Sequence, residues 1–432
     1  TMAETTFDDV TIPVPEPDLT PEEMIERATG MRQMVRDQQE EAERLGNYTE
    51  EVHQAFLQAG LYRVLQPRRF GGYAFPMETY LKIAVEIGRG DPGSAWCFDL
   101  GAHHALEVGS HWPAEAQREL FCSVNGDFIA AHRAGPGGTA LPENGGYRVS
   151  GRWRYSSGIP YSTHFIGGVT VPSDQPDGRP RMLNVTVPRH QFRIEEGSWG
   201  NDESFGLQSS GSHTVVVEDQ WIPAMFLVEV PLFGGAETSP GWELHGDPMY
   251  LGRMGGYFHA GIVAPQVGAA RAALDEYERL MRETNMRAFG APAGPPAKRI
   301  ESPDFQRNFG IALETTDAAE AILIRSGEMY SEYSRLFAKE GRPFTAEDDV
   351  RLWGQCQVAG RLAFDAVELL WRTADSSIVG RRGQRLQRYY RDVSMYRGHL
   401  AAQTDMIGPL LARLNLGLPT GPPLARQEPS AR

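Results

Sequence analysis

The sequence has few cysteines and few lysines. Its three cysteines, Cys97, Cys122 and Cys356, lie far apart and form no C-x-x-C pair. This spacing suggests neither a disulfide framework nor a thiolate metal site, and a reducing compartment is the simplest inference. Lysine supplies three of the 42 basic residues, so the positive charge comes almost entirely from arginine.

Long apolar runs are also absent. No stretch of about 18 apolar residues occurs, and the N-terminus lacks the basic and apolar segments of a signal peptide, which predicts a cytoplasmic protein. The formal net charge of −14 argues against nucleic acid or an anionic membrane as the main partner, because both need a basic surface. With 41% hydrophobic and 23% charged residues, the 432-residue chain has the composition of a globular protein with a sizeable core.

Several common catalytic motifs are missing or out of place. There is no G-x-x-x-x-G-K-[ST] and no G-x-S-x-G, so neither a P-loop NTPase nor a serine hydrolase is supported. Residues 88–93 match G-x-G-x-x-G, but they lie between two predicted helices, and Pro92 removes a backbone N–H that a phosphate would need. His104, Glu107 and His111 share one helical face, yet no second E-x-x-H cluster accompanies them, so no metal site is predicted.

Changes in residue pattern divide the chain into five predicted regions, and the fold class is multi-domain α+β. Residues 1–19 form a flexible arm rich in proline and acid, and helix signals over 20–126 predict an all-α N-terminal domain. Short strands separated by Gly, Pro and Asp turns over 127–231 predict a central antiparallel barrel or sandwich. Long Ala-rich helices over 232–416 predict a C-terminal four-helix bundle, which a tail over 417–432 follows.

Capping signals and apolar periodicity locate individual elements. An N-cap at Thr20 predicts a helix over 21–45, and Asp91 opens a helix that reaches 110. A single long helix is predicted over 384–415. The predicted strands span 127–131, 147–155, 163–171, 181–187, 192–196 and 213–222.

The most informative stretch of the β region is 145–158. From Tyr147 onward, apolar or aromatic residues alternate with polar ones, which is the period of a half-buried strand that starts at a glycine turn. Ser156, Ser157 and Gly158 follow, and two hydroxyls and a glycine let a backbone approach and hydrogen-bond a planar ligand. An ordinary β-meander turn has the same pattern, but the position between two helical regions favours a cofactor site.

A set of motifs in a fixed order resembles a known family. The motifs are Ser-Ala-Trp at 94–96 with His104 after it, Gly-Gly-Tyr to Ser-Ser-Gly over 145–158, Ser-Gly-Ser-His over 210–213 before Ile222 and Pro223, and Leu-Gln-Arg-Tyr-Tyr-Arg-Asp over 386–392 followed by His399. With the order helical domain, β domain and bundle, residues 22–421 resemble the acyl-CoA dehydrogenase fold. Within that fold the chain resembles the oxygenase component of group D two-component flavin-dependent monooxygenases, such as the p-hydroxyphenylacetate and secosteroid phenol hydroxylases.

The resemblance implies a cofactor, partners and a reaction. A separate flavin reductase is expected to supply reduced FMN, with FADH2 as the other option, and O2 then forms a flavin C4a-hydroperoxide that hydroxylates an aromatic or polyketide-like small molecule. The resemblance also implies a homotetramer. The bundle segment in which acyl-CoA dehydrogenases often carry a glutamate base spans 391–399 here and ends in His399, and a histidine in this segment favours oxygen chemistry. The alternatives are an amino-sugar type N-oxygenase, an acyl-CoA dehydrogenase and a non-catalytic scaffold of the same fold.

The resemblance further implies the roles of particular residues. The expected catalytic residues are His399, His104 and Ser157, with the histidines as hydrogen-bond partners or acid–base groups and the serine near flavin N5; His103 is the neighbour that could replace His104. The expected cofactor contacts are Trp153, Ser156, Gly158, Ser212, Arg287 for the FMN phosphate, and Arg391, for which a salt bridge with Asp392 is the other interpretation. On the substrate side stand His132, Tyr161 and His164, which differ from the residues of the phenol-hydroxylating relatives and keep N-oxygenation open.

Overall fold

The chain is described by a computed structural model that covers residues 10–173, 178–200, 204–230, 232–233, 238–286 and 297–420. Helices come first, then a sheet, then longer helices, as the sequence predicts. No helix among the described residues combines the length with the apolar composition that a membrane-spanning segment requires. The domain boundaries given above stay predictions.

The regular elements are named here in chain order. The first group of helices is α1 (Pro21–Asp37), α2 (Gln39–Leu45), α3 (Glu50–Ala59), α4 (Met77–Gly90), α5 (Pro92–Ala102), α6 (His104–His111) and α7 (Ala114–Cys122). The strands are β1 (Ala130–Glu143), β2 (Gly146–Trp153), β3 (His164–Val171), β4 (Arg181–Pro188), β5 (Arg193–Ile194), β6 (Val215–Pro223) and β7 (Leu227–Val228). The later helices are α8 (Pro240–His245), α9 (Gly255–Glu283), α10 (Pro303–Glu340), α11 (Ala346–Thr373), α12 (Ser376–Val379), α13 (Arg385–Arg397) and α14 (Thr404–Asn415).

Three helices that the sequence predicts as continuous are interrupted. The predicted helix over 21–45 breaks at Gln38, and the helix that begins after Asp91 breaks at His103. The prediction of one helix over 384–415 is wrong, because α13 ends at Gly398 and a 3-10 turn separates it from α14. At this break the His399 side chain accepts a hydrogen bond from the Ala401 N–H and so caps the turn. His399 therefore lies between two helices and not within one.

The described strands form one mixed sheet in the order β5-β6-β2-β1-β3-β4-β7. Every neighbouring pair is antiparallel, as predicted, except β1 and β3, which run parallel. The strand predicted over 127–131 instead begins at Ala130 and continues to Glu143, with irregular pairing between Arg133 and Gly138. Glycine there allows a close approach, since a Cβ on Gly138 would lie 2.7 Å from the Trp153 ring.

The core of the helical part is built around α9, which is buried along most of its length. Helix α4 packs directly on it where two glycines meet, since a Cβ on Gly268 would lie 2.6 Å from the Cα of Gly88. Gly88 opens the G-x-G-x-x-G match at 88–93, so that glycine serves helix packing. The N-terminus of α9 is capped by the buried Asp349, whose carboxylate accepts from the N–H groups of Gly255 and Gly256.

A buried group of charges connects α2 to α13. The Glu43 carboxylate lies 3.1 Å from the Arg388 guanidinium, which is 1% exposed, and 2.9 Å from that of Arg391. Asp392 instead accepts a hydrogen bond of 2.6 Å from the Leu207 N–H. The interpretation of Arg391 and Asp392 as a salt bridge is therefore replaced by two separate contacts, which tie α13 to α2 and to the segment before β6.

We expect Glu43→Gln to lower the free energy of unfolding by about 3 kcal/mol, because the buried Arg388 guanidinium would lose its partner. The matched control is Glu41→Gln on the same helix, whose exposed pair with Arg44 contributes little. Denaturant unfolding of both variants checks the prediction. Equal stability of the two variants would contradict it.

A second pair, near the C-terminal end of α11, gives a pH dependence. Arg299 donates to the Asp375 carboxylate at 2.8 Å, and together with the Ser377 hydrogen bonds it lowers the Asp375 pKa from 3.8 to about 2. Asp375→Asn keeps an acceptor for the Ser377 N–H but removes the charge. A lowered carboxyl pKa stabilises the protein above the unfolded pKa, so the variant should be less stable by about 1–2 kcal/mol at pH 7.

This stability difference should shrink as the pH falls from about 4 towards the folded pKa of about 2 and should be roughly halved at pH 3. Denaturant unfolding of the wild type and Asp375→Asn at pH 7 and pH 3 measures it. A difference of the same size at both pH values would show that the charge of Asp375 is not its source.

Candidate active site

Backbone pairing beyond the ends of β2 and β6 brings two serine-rich segments together. The Ser156 N–H donates to the His213 carbonyl and the Gly158 N–H donates to the Ser210 carbonyl, both at 3.1 Å. This pairing continues the β2 and β6 register past Trp153. It places Ser157 opposite Ser212, and their hydroxyl oxygens lie 2.6 Å apart.

The two serines belong to a chain of buried polar groups. The Trp96 indole N–H donates to the Ser157 hydroxyl at 3.2 Å, and the Ser212 hydroxyl also lies 2.6 Å from that of Ser210. All four residues are buried. Because an indole N–H can only donate, Ser157 accepts one hydrogen bond and its own proton is left for Ser212 or for a ligand.

His399 stands beside this chain of groups. Its ring meets the Trp96 ring edge to face, with the centroids 5.7 Å apart. Because its Nδ1 accepts from the Ala401 N–H, the neutral ring carries its proton on Nε2 and presents a hydrogen-bond donor there. Although solvent reaches the side chain, surrounding protein atoms and the nearby Arg133 guanidinium lower its pKa. The neutral donor form is therefore favoured at neutral pH.

A cleft of about 340 Å³ opens next to Ser212. Arg152 near the end of β2, Arg154 and Tyr155 just after it, and Trp199 line the cleft. Arg152 is held by Glu195 at 2.5 Å, and the exposed Tyr155 ring meets Trp199 edge to face. The cleft therefore places aromatic and arginine side chains next to Ser212.

Three predicted cofactor contacts face the protein interior. The Trp153 indole packs on Phe165 in the core of the sheet and donates to the Gly168 carbonyl at 3.0 Å. The Ser156 hydroxyl donates to the Trp153 carbonyl. Gly158 has φ +84°, and a Cβ there would lie 2.8 Å from the Cys97 carbonyl, so this glycine lets the turn approach α5.

The two predicted arginine contacts do not join the serines among the described contacts. Arg391 is bound to Glu43 and donates to the Phe205 carbonyl at 3.0 Å. Arg287 lies outside the described residues, so its role at a phosphate stays a prediction. Within the described part of the chain, Arg152 and Arg154 are the arginines that line the cleft beside Ser212.

His104 lies in a second buried polar group, at the start of α6. Its Nδ1 is 2.7 Å from the Ala130 carbonyl and 3.0 Å from that of Leu100, so Nδ1 carries the proton and Nε2 the lone pair. Burial, with the neighbouring His103 and His132, lowers the His104 pKa far below its usual value. The ring is therefore neutral at physiological pH.

Carboxylates accompany the other two histidines of this group. His132 Nδ1 lies 3.0 Å from a Glu107 carboxylate oxygen, and His103 Nδ1 lies 3.0 Å from one of Asp99. Glu107, Asp99 and His103 are completely buried. The sequence predicts His132 and His104 as separate substrate and catalytic residues, and the structure brings their rings to 5.2 Å.

The other two predicted substrate contacts lie elsewhere. Tyr161 stacks on His53 at 4.0 Å, and its hydroxyl donates to the Tyr48 carbonyl. His164 stacks on Phe128 at 4.9 Å, and burial lowers its pKa to about 3. The described contacts thus separate the three predicted substrate residues into different surroundings.

Sequence reasoning missed the Trp96 donor, the cleft residues Tyr155 and Trp199, and the pairing of Glu107 with His132. A signal existed for Trp96, because it belongs to the motif at 94–96. None existed for Trp199, since only the fold brings it opposite Tyr155.

Known proteins similar to this chain include flavin-dependent oxygenase components. Residues 260–404 match the family described as acyl-CoA dehydrogenase, C-terminal domain. The chain is 27% identical over 396 residues to the flavin-dependent monooxygenase, oxygenase subunit HsaA, of Rhodococcus jostii (strain RHA1), which covers 91% of this chain and 98% of the relative. It is 25% identical to the FADH(2)-dependent resorcinol hydroxylase, oxygenase component, of Rhizobium sp. (strain MTP-10005), with 91% and 94% covered.

The fold agrees with these relatives. The crystal structure of the HsaA monooxygenase from M. tuberculosis superposes with a TM-score of 0.81 at 20% identity, covering 94% of this chain and all of the other. The predicted fold class and the predicted resemblance are confirmed. The chain has the acyl-CoA dehydrogenase fold, and within that fold its relatives are oxygenase components of flavin-dependent monooxygenases.

Proposed function

We propose that this chain is the oxygenase component of a two-component flavin-dependent monooxygenase that hydroxylates an aromatic small molecule. A separate reductase supplies the reduced flavin, and O2 is the co-substrate. The relatives named above support the reaction class. The observation that carries the proposal is the series of contacts that joins His399 to Trp96, Trp96 to Ser157 and Ser157 to Ser212, which lines the cleft. The homotetramer and the cytoplasmic location stay predictions.

The residues present fit a flavin. A flavin ring is planar and carries several nitrogen and oxygen hydrogen-bonding atoms, which suit a pair of serine hydroxyls with a fixed indole donor behind them. The side chain of FMN ends in a phosphate, which suits arginines such as Arg152 and Arg154 in the adjoining cleft. Aromatic walls such as Trp199 complete a site that can bind a large, partly apolar ligand.

Reduced flavin, when bound, activates O2 and transfers one oxygen atom to the substrate. Ser157 and Ser212 would orient the ring, with the Trp96 indole keeping the Ser157 lone pair occupied and so fixing its proton direction. His399 would donate its Nε2 proton as a hydrogen bond to the reacting oxygen. Its lowered pKa keeps the ring neutral, so donation does not depend on protonation near pH 7.

The dehydrogenase alternative needs a carboxylate base near the ring. Asp392 is the carboxylate of the α13 motif, but it is buried and accepts from the Leu207 N–H at 2.6 Å. The side chain that the α13–α14 connection presents to Trp96 is His399. This arrangement supports the oxygenase over the dehydrogenase.

We expect His399→Asn to release hydrogen peroxide faster when the protein with reduced FMN meets O2, because the reacting oxygen would lose its donor. Asparagine at 399 can still accept from the Ala401 N–H, so the turn after α13 keeps its cap. The expected increase is at least about tenfold, the effect of one lost positioned donor in an active site. Stopped-flow mixing with a peroxide assay measures it.

The control for this experiment is His190→Asn, which changes an exposed histidine on the turn after β4. The wild-type rate should vary little between pH 7 and 8.5, since the His399 pKa is lowered and the ring is already neutral there. If His399→Asn and His190→Asn release peroxide at the same rate, His399 does not contact the reacting oxygen.

We expect Ser157→Ala to weaken the binding of reduced FMN by about three- to tenfold, since one hydrogen bond contributes about 0.5–1.5 kcal/mol. Anaerobic fluorescence titration gives the Kd, and a parallel titration with FADH2 decides which flavin is preferred. Ser326→Ala is the control, because that buried serine on α10 bonds only within the helical part of the protein. An unchanged Kd for Ser157→Ala would remove Ser157 from the flavin site.

A further inference from the structure

A group of three metal-ligating residue types lies where α6 meets β1. His104 and Glu107 come from α6, and His132 comes from β1. One ligand atom from each residue can be chosen so that all three lie within 4.8 Å of one another, and all three residues are buried. The sequence placed His111 in this group, but its Nε2 is bonded to the Gly252 carbonyl.

His104 is oriented as a ligand before any ion binds. Its Nδ1–H donates to the Ala130 carbonyl at 2.7 Å, which leaves the Nε2 lone pair unprotonated. Histidines that bind metals in proteins almost always donate their other ring N–H in this way, often to a backbone carbonyl. The strand that carries His132 therefore also supplies the carbonyl that orients His104.

Glu107 and His132 leave polar atoms without partners. Glu107 is 0% exposed, and among the described residues neither of its carboxylate oxygens makes a hydrogen bond of good geometry. His132 Nδ1 lies 3.0 Å from one of these oxygens, while His132 Nε2 has no partner in the described structure. A buried carboxylate is costly unless it is paired or binds a metal. An ion pair with His132 alone would leave the other Glu107 oxygen and one N–H of His132 unpaired.

The neighbouring polar groups do not supply hydrogen-bond partners for these atoms of Glu107 and His132. Asp99 is turned to His103 and accepts from the Tyr80 hydroxyl at 2.8 Å. Phe258 packs on the rings of His103, His104 and His132 and adds no polar atom to the group. The unpaired atoms of Glu107 and His132 therefore lie buried within a group of three potential ligands.

We propose that His104, Glu107 and His132 bind one divalent transition-metal ion of the Zn²⁺ type. Two imidazoles and one carboxylate are a ligand set that suits Zn²⁺, whereas Mg²⁺ and Ca²⁺ prefer oxygen ligands. With ligand bonds of about 2.0–2.2 Å, ligand atoms around a tetrahedral ion lie about 3.3–3.6 Å apart, so small side-chain rotations would bring the three atoms to that spacing. The ion would satisfy the Glu107 carboxylate and join α6 to β1.

The site goes beyond the proposed oxygenase function. Three protein ligands leave a fourth tetrahedral position for water or for an oxygen atom of a small molecule. Binding needs neither flavin nor reductase, so it can be measured on the protein alone. A protein that binds no metal would leave the flavin proposal unchanged, and a protein that binds no flavin would leave the metal site unchanged.

The experiment strips the full chain with a chelator, adds Co²⁺ or Zn²⁺ and removes excess ion by gel filtration. We expect about one ion per chain by elemental analysis, a visible Co²⁺ absorption of tetrahedral strength, and a higher Tm with Zn²⁺. Glu107→Gln and His132→Asn should weaken binding by at least about tenfold, because each removes one ligand. The control His111→Asn, one turn from Glu107 on α6, should bind like the wild type.

Two results would overturn the site. The first is a stripped wild type that retains no Co²⁺ and shows no change in Tm with Zn²⁺, which would mean that Glu107 and His132 form only an ion pair. The second is equal metal binding by the wild type, Glu107→Gln and His132→Asn, which would place the ion elsewhere. If one variant does not fold, as judged by circular dichroism, the other variant and the metal stoichiometry of the wild type decide whether the site stands.

Discussion

The candidate active site depends on the antiparallel pairing that carries β2 and β6 beyond their ends. Two backbone hydrogen bonds, from Ser156 to His213 and from Gly158 to Ser210, set two serine segments opposite each other. That register decides that the Ser157 hydroxyl meets Ser212, because a shift of one residue would turn the side chains to the other face. The turn at Gly158 also presses on α5, the helix that carries Trp96.

Buried ion pairs fix the position of α13, the helix that precedes His399. Glu43 holds Arg388 and Arg391 on α13, and Asp392 holds the Leu207 N–H near the start of the second serine segment. These contacts tie α13 to α2 and to the segment before β6, and the chain that leaves α13 brings His399 to Trp96. Charged pairs in the interior need good geometry to offset desolvation, which makes this connection sensitive to the loss of one partner.

The order of elements follows from the sequence, but several breaks do not. The helix pattern over 232–416 predicts long bundle helices, and α10 and α11 lie within that range. The same signals cannot show the break before α14. The His399 side chain caps the turn there, but histidine also occurs within helices, so its place in the sequence does not mark a helix end. The same signals do not show that β1 pairs in parallel with β3, because residue patterns within a strand do not specify its neighbour in the sheet.

For the site, the sequence alone determined that serines, a glycine turn, a motif tryptophan and several histidines belong to one ordered set. It could not decide which of them meet, because hydrogen bonds between residues far apart in the chain have no local signature. Only the tertiary structure shows that the side chains of Ser156 and Trp153 point into the interior. It also shows that Arg391 pairs with Glu43 and that His132 lies beside Glu107. The physical reason is that burial and long-range pairing select partners, whereas residue patterns specify only which face of an element is apolar.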